Sequence, residues 1–408
     1  MADPIEHDDE PRLRRHLYLF SFADEFGPLF ALYTLWFADH GITAEQTSVV
    51  FALWAAVAIV FEVPSGALAD RIDRRVVVAS GLGLRAVGIT VWLVWPTYAG
   101  VLTGAVLWAV HGTLESGAWE ALVHDQLAAR GRAEAYAQVM ARIEQFSHTG
   151  SALGIVTALA LLHAGVSWAV LGWITVAAHA VPIVLVSRLR ATERDPDDDE
   201  DDDDDPSSYA AWWATLRSGL DTVRTTPVIA RVVVMAGLLE GLFVFDEYVP
   251  LLARARGASD ASVPLMVLIV WAGVLLGGEV AARRTTMSPR ALALLMLAGT
   301  GAMFAGVALP HLAALASIGL GYAALQLVWV LSDARLQAQL PGATRATVTS
   351  VRALLSGIVS MVAFAVVGQR SPGQDPSAGL LMLIPALVIV GAMVAAWLPA
   401  ASTTAGDE

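Results

Sequence analysis

Apolar residues in this chain run together instead of alternating with polar ones. Stretches of about 20 apolar residues, the length that crosses ~30 Å of hydrocarbon, recur from one end to the other. Their edges, marked by charges, Gly and Pro, predict helices over 16–38, 45–69, 76–95, 97–123, 135–162, 164–187, 228–253, 260–283, 289–309, 311–337, 345–368 and 376–399. A soluble core would contain one or two such runs. The pattern predicts an all-α polytopic membrane protein of twelve transmembrane helices in two pseudo-symmetric six-helix bundles. The expected divisions are an acidic tail over 1–15, an N-terminal bundle over 16–190, a connection over 191–227, a C-terminal bundle over 228–400 and a short tail over 401–408.

The connection breaks the apolar pattern. Asp195 to Asp205 holds ten acids, too dense a set of like charges to collapse, and is expected to be an extended linker. Beyond it Tyr209, Trp212, Trp213, Leu216, Leu220 and Val223 recur at helical spacing, with Arg217, Asp221 and Arg224 on other faces. This predicts a helix lying in the membrane interface, ended by Pro227.

Composition narrows the chemistry. Of 408 residues, 15% are charged and 56% hydrophobic, which leaves too little charge for a soluble surface. There is no cysteine, so disulfides, thiolate metal sites and cysteine nucleophiles are excluded. All 25 basic residues are arginine, which removes lysine Schiff bases and lysine phosphate loops. Subtracting the ten linker acids from the formal −13 leaves −3, and no basic stripe exists, so nucleic acid is not an expected partner. The N-terminal tail lacks the basic region and cleavage site of a signal peptide, so span one is expected to be retained. Arginines gather at the N-terminus and in the even-numbered connections (Arg12, Arg14, Arg71, Arg74, Arg188, Arg283), against Arg254, Arg256 and Arg370 in the odd-numbered ones. The positive-inside rule then places both termini in the cytoplasm of a plasma (inner) membrane protein.

Two sequence echoes suggest a duplicated half. Gly66-Ala-Leu-Ala69-Asp70-Arg71 after span two lines up with Gly278-Glu-Val-Ala281-Ala282-Arg283 after span eight, and Asp24-Glu25-Phe26-Gly27-Pro28 in span one with Asp246-Glu247-Tyr248-Val249-Pro250 in span seven. Two halves that start on the same side are parallel repeats about an axis along the membrane normal.

The loop Gly66-Ala-Leu-Ala-Asp70-Arg71-Ile-Asp-Arg74-Arg75 resembles the signature loop of the major facilitator superfamily of secondary transporters, with Asp73 in place of a glycine. Glu62-Val-Pro64-Ser65, Ser116 to Leu122 and Arg345-Ala-Thr-Val348 are similar to a bacterial branch of it. The resemblance implies alternating access around a central cavity, and an inner gate latch formed by Asp70, Arg71 and Arg75 with Gly66, Arg345 and Arg352. Helix five keeps the small-residue face Gly150 to Gly154 but lacks the proline of drug–proton antiporters, and helix four lacks the arginine of many proton-coupled members.

An ionised side chain in hydrocarbon costs at least ~2.5–3.5 kcal/mol, so intramembrane charges mark the candidate site. Glu62 lies one turn before Gly66 and is expected at the gate or in coupling. In span four His111 and Glu115 share a face, with Glu120 farther along. Glu115 is expected to handle a proton or cation, or else to pair with Arg85 of span three or Arg142 of span five. Glu144 and His148 lie one turn apart in span five. Asp24, Glu25, Glu240, Asp246 and Glu247 belong to spans one and seven. Adjacent acids cannot both point inward, so one of each pair is expected to be structural or near the outer surface. Asp333 and Arg335 in span ten are expected to pair with other helices. The reading is a monomeric, cofactor-free transporter of a small organic solute, driven by a proton or cation gradient and exporting hydrophobic or cationic compounds. An uptake permease of the same fold and a non-transporting membrane sensor or scaffold are the alternatives.

Overall fold

The computed structural model describes residues 10–191, 209–340, 342–371 and 373–400, without the side chains of 63–64, 66–67, 69–71, 209–212, 215, 342–344 and 346. The acidic linker and most of both tails lie outside the described residues. All regular structure among them is helical. Ten helical segments are long and apolar enough to cross a membrane. Of the other two expected spans, 16–38 is split between helices of 16 and 7 residues, and 97–123 falls on one 31-residue helix that carries His111, Glu115 and Glu120.

The chain divides into two compact units, Met1–His40 with Val57–Trp212 and Gly41–Ala56 with Trp213–Glu408. Unit 1 contains α1 (Glu10–Glu25), α2 (Tyr33–Asp39), the later part of α3 (Ala44–Arg71), α4 (Arg74–Val94), α5 (Tyr98–Ala128), α6 (Tyr136–His163), α7 (Trp168–Ala178) and α8 (Ala180–Ser187). Its core is built from Leu17, Phe20, Val78, Leu82, Trp119, Leu122 and Val139, all buried. Backbones approach closely where glycine allows it. A Cβ on Gly154 of α6 would meet the Gly27 backbone at 3.1–3.2 Å, so the small-residue face of span five is what seats span one.

Unit 2 contains α9 (Tyr209–Thr225), α10 (Pro227–Gly241), a 3₁₀ turn (Phe243–Tyr248), α11 (Val249–Ala255), α12 (Val263–Arg283), α13 (Pro289–Ala308), α14 (Ala316–Gln339), α15 (Gly342–Gln369) and α16 (Ser377–Trp397). The first turns of α3 join it. Ser48 and Tyr248 share a hydroxyl hydrogen bond of 2.6 Å, and the Ala44 N–H donates to the Gly373 carbonyl at 2.7 Å. α9 stops where Pro227 opens α10, whose first turn needs no N–H from it. Leu216 and Gly219 of α9 are buried, and Trp213 is exposed with the Arg217 guanidinium 5.4 Å from its ring.

Spans expected to be continuous are interrupted at three places. Span one breaks between α1 and α2, span six between α7 and α8, and span seven at the 3₁₀ turn. Each break has a nearby proline, Pro28, Pro182 or Pro250, which cannot donate to the carbonyl four residues before it. The repeated half shows in the turns as well. Gly41 after span one and Gly257 after span seven both take the left-handed conformation that glycine tolerates (φ 80° and 81°).

Candidate functional site

In unit 1 the last turn of α1 carries Asp24 and Glu25 to the edge of the break. Pro28 leaves the Asp24 carbonyl without its helical donor, and Arg85 of α4 supplies one, its Nη2 donating at 2.7 Å. The same nitrogen forms an ion pair with the Asp24 carboxylate. Arg85 is 3% exposed and Asp24 8%, so the pair is close to dry. The guanidinium carbon lies 5.0 Å from the Phe30 ring centre and 6.0 Å from that of Trp108.

Glu115 of α5 joins this pair. His111 Nε2 is 3.1 Å from its carboxylate, and Arg85, Asp24 and Glu25 all act on it electrostatically. Glu25 accepts a hydrogen bond from Ser151 of α6 at 3.1 Å and lies within electrostatic reach of His148. Three carboxyls therefore act on the Arg85 guanidinium, Asp24 in direct contact and Glu25 and Glu115 through their charge. Two expectations are corrected here. Asp24 and Glu25 both enter the same cluster, because α1 ends at this point and the two side chains leave toward α4 and α6. Of the two arginines weighed for Glu115, only Arg85 is near; Arg142 is exposed and donates to Gln145 Oε1 at 2.9 Å.

Other expected members stand apart. Glu144 is exposed and pairs with His148 at 3.3 Å. Glu120 is exposed beside Tyr136, and Glu62 is exposed. The side chains of Gly66, Asp70 and Arg71 lie outside the described residues. Arg75, expected in the latch, is engaged by Asp73 (2.5 Å) and by the Leu189 carbonyl (2.7 Å). Asp73, where the resembled loop has glycine, caps α4 by accepting from the Arg75 N–H at 2.9 Å. Arg345 is exposed, with its Nε donating to the Leu340 carbonyl at 3.3 Å.

In unit 2 the break in span seven is held by Tyr322 of α14. Its hydroxyl donates to the Phe243 carbonyl (2.9 Å) or to Asp246 Oδ1 (2.9 Å), and accepts from the Asp246 N–H at 2.6 Å. Asp246 is exposed although it sits within an apolar span, and Glu247 beside it is half-buried. A second cluster centres on Arg352 of α15, which bonds Glu240 at 2.8 Å and lies 3.5 Å from Asp333. Arg352 is thus a partner of span-seven and span-ten acids within unit 2. Among the described residues Arg335 pairs with no acid; it donates to the carbonyls of Met287 (2.5 Å) and Pro399 (3.0 Å) and ties helix ends together.

Sequence reading missed Tyr322 and Ser151. The repeated Asp-Glu-x-x-Pro did carry a signal, since each proline denies a carbonyl its helical donor; the Asp24 carbonyl takes Arg85 instead, and the Asp246 carbonyl the Val249 N–H. Which helix supplies that donor is a tertiary fact.

The family description Major Facilitator Superfamily matches residues 17–365. Among solved structures the chain is similar to the nucleoside transporter NupG (TM-score 0.73, 13% identity, 94% of this chain and 98% of that one). It is also similar to a bacterial homologue of the human lysosomal transporter Spinster in an inward-facing, occupied conformation (0.68, 14%, 99% and 100%) and to a D-xylose–proton symporter (0.67, 14%, 95% and 96%). At these identities the likeness is one of fold. No curated protein matches the chain by sequence.

Proposed function

The chain belongs to the Major Facilitator Superfamily, and on that footing we propose that it is a proton-coupled secondary transporter. It moves a small organic solute by alternating access and exports hydrophobic or cationic compounds across the plasma membrane, with both termini in the cytoplasm. The observation that carries this reading is the set of three carboxyls, Asp24, Glu25 and Glu115, gathered about Arg85 at the break of span one. A guanidinium neutralises one carboxylate. A carboxylate left uncompensated at that depth is costly, so the remaining groups hold a proton or borrow a cation. That is the property a proton carrier needs.

Unit 2 supports the solute side of the reading. An exposed Asp246 in the middle of an apolar span is tenable beside water and not beside lipid tails. Interrupted helices at matching places in two halves are where transporters present polar backbone to their cargo. Asp246, Glu247, Glu240 and Asp333 outnumber Arg352, which favours a cation. Release of a proton held in unit 1 when a cation binds in unit 2 is the logic of export against a proton gradient. The D-xylose–proton symporter shows that a protein of this fold is proton-linked.

The test is reconstitution into vesicles holding a pH-sensitive dye, challenged with cationic, neutral and anionic solutes. Cationic or hydrophobic solutes should move protons in the native chain, and Glu115→Gln, still folded, should abolish this. Solute-independent internal pH with every solute tried would overturn the reading in favour of a non-transporting sensor or scaffold.

A further inference from the structure

The charged cluster of unit 1 leaves three buried nitrogens without a hydrogen-bond partner among the described residues: Arg85 Nε, His111 Nδ1 and His179 Nε2. His179 has no part in the site described above. It sits at the interruption between α7 and α8, three residues before Pro182, and is 2% exposed. Its Nδ1 lies 2.7 Å from the Thr175 carbonyl. A carbonyl only accepts, so Nδ1 carries the ring proton and Nε2 is left as a buried lone pair.

Arg85 acts on His179 electrostatically, and Phe30 stands against both, its ring centre 5.0 Å from the guanidinium carbon and 5.7 Å, edge-on, from the imidazole. A buried cation with a spare N–H and a buried acceptor with no donor thus share one phenyl neighbour. Asp24, Glu25 and Glu115 act on Arg85; Arg85 acts on His179, and His179 and His111 act on each other. His111 is engaged through Nε2 by Glu115. The backbone joins the same elements, since the Leu29 N–H, freed in the break of span one, donates to Thr175 Oγ1 at 3.0 Å.

We propose that His179 is a second seat for Arg85, taken when Asp24 accepts a proton. In that step an O–H bond forms on the Asp24 carboxyl with a proton from the aqueous phase. The Arg85–Asp24 ion pair gives way, and an Arg85 N–H donates to the His179 Nε2 lone pair while the guanidinium keeps its charge. Phe30 swings aside, so proton binding at span one is passed to the interruption of span six through one side chain with two resting places. His179 acts as a positioning residue in the proton-coupled reading above, on which this inference rests.

The test is nitrogen-15 NMR of histidine-labelled full-length protein in lipid nanodiscs, with the His179 resonance identified by its loss in His179→Gln. Asp24→Asn mimics the protonated carboxyl and should move the His179 Nε2 signal toward that of a hydrogen-bonded acceptor. The double variant Asp24→Asn with Arg85→Met should return it to the native position. In vesicles His179→Leu should lower solute-driven proton movement about tenfold, and His179→Gln, which keeps an acceptor oxygen, should restore most of it. An Nε2 signal that ignores Asp24→Asn, or responds equally without Arg85, overturns the second seat. The NMR result does not depend on transport, so a chain that switches but moves no protons in vesicles would count against the transport reading alone.

Discussion

Spans one and seven break at the same sequence, Asp-Glu-x-x-Pro, yet the two breaks are mended differently. In unit 1 the orphaned backbone is met by a cation, Arg85, paired with a buried Asp24. In unit 2 the matching Asp246 carbonyl accepts from the Val249 N–H inside the 3₁₀ turn, a neutral phenol, Tyr322, binds the Phe243 carbonyl and the Asp246 N–H, and Asp246 remains exposed. A duplicated backbone device has thus been given two electrostatic characters. The dry, charged version suits a group that alternates between protonated and paired states. The wet version suits a carboxylate that meets a passenger.

The comparison can be broken by removing each mending residue in turn. Arg85→Met should have the largest effect, about 3–5 kcal/mol of stability, because it strands the Asp24 carboxylate and carbonyl inside unit 1. Thermal unfolding in detergent would show it, and a loss close to zero would mean that the cluster is wet. Tyr322→Phe should cost less, about 1–3 kcal/mol, since it removes a neutral hydroxyl from the Asp246 N–H and the Phe243 carbonyl. Equal losses for the two variants would erase the proposed difference between the units. Arg254→Ala, at the far end of α11, breaks a part-exposed pair with Asp260 (2.8 Å) and should cost at most ~1 kcal/mol. A larger loss there would show that span seven depends on its outer end and not on its break.

Much of this was legible in the sequence, and the limits have physical causes. Apolar run length located the membrane helices because a bilayer demands it. The repeated Asp-Glu-x-x-Pro was visible, and so was the one-turn spacing of His111 and Glu115. The breaks themselves were not anticipated, because an apolar run reads as continuous when its few polar residues are averaged over it. Helical spacing placed Arg85 and Arg142 as equal candidates for Glu115; only packing shows that Arg142 faces outward to Gln145. Arg75 and Arg352 entered the latch by resemblance; their acidic neighbours in the structure are Asp73 and Glu240, and the side chains of Asp70 and Arg71 lie outside the described residues. Asp73 is the one residue of that loop that departs from the family pattern, and the departure creates the competing partner. Tyr322 and His179 carry no sequence signal beyond an unmet need for hydrogen-bond partners.

The central claim is that proton exchange belongs to the break in unit 1 and solute contact to the break in unit 2. Its most direct test is proton release by the purified chain in weakly buffered detergent on addition of a transported solute, compared across Asp24→Asn, Glu115→Gln and Asp246→Asn. The first two variants should bind solute without releasing protons, whereas Asp246→Asn should still release protons but need more solute to do so. Proton release that survives Asp24→Asn and Glu115→Gln and disappears with Asp246→Asn would contradict the central claim.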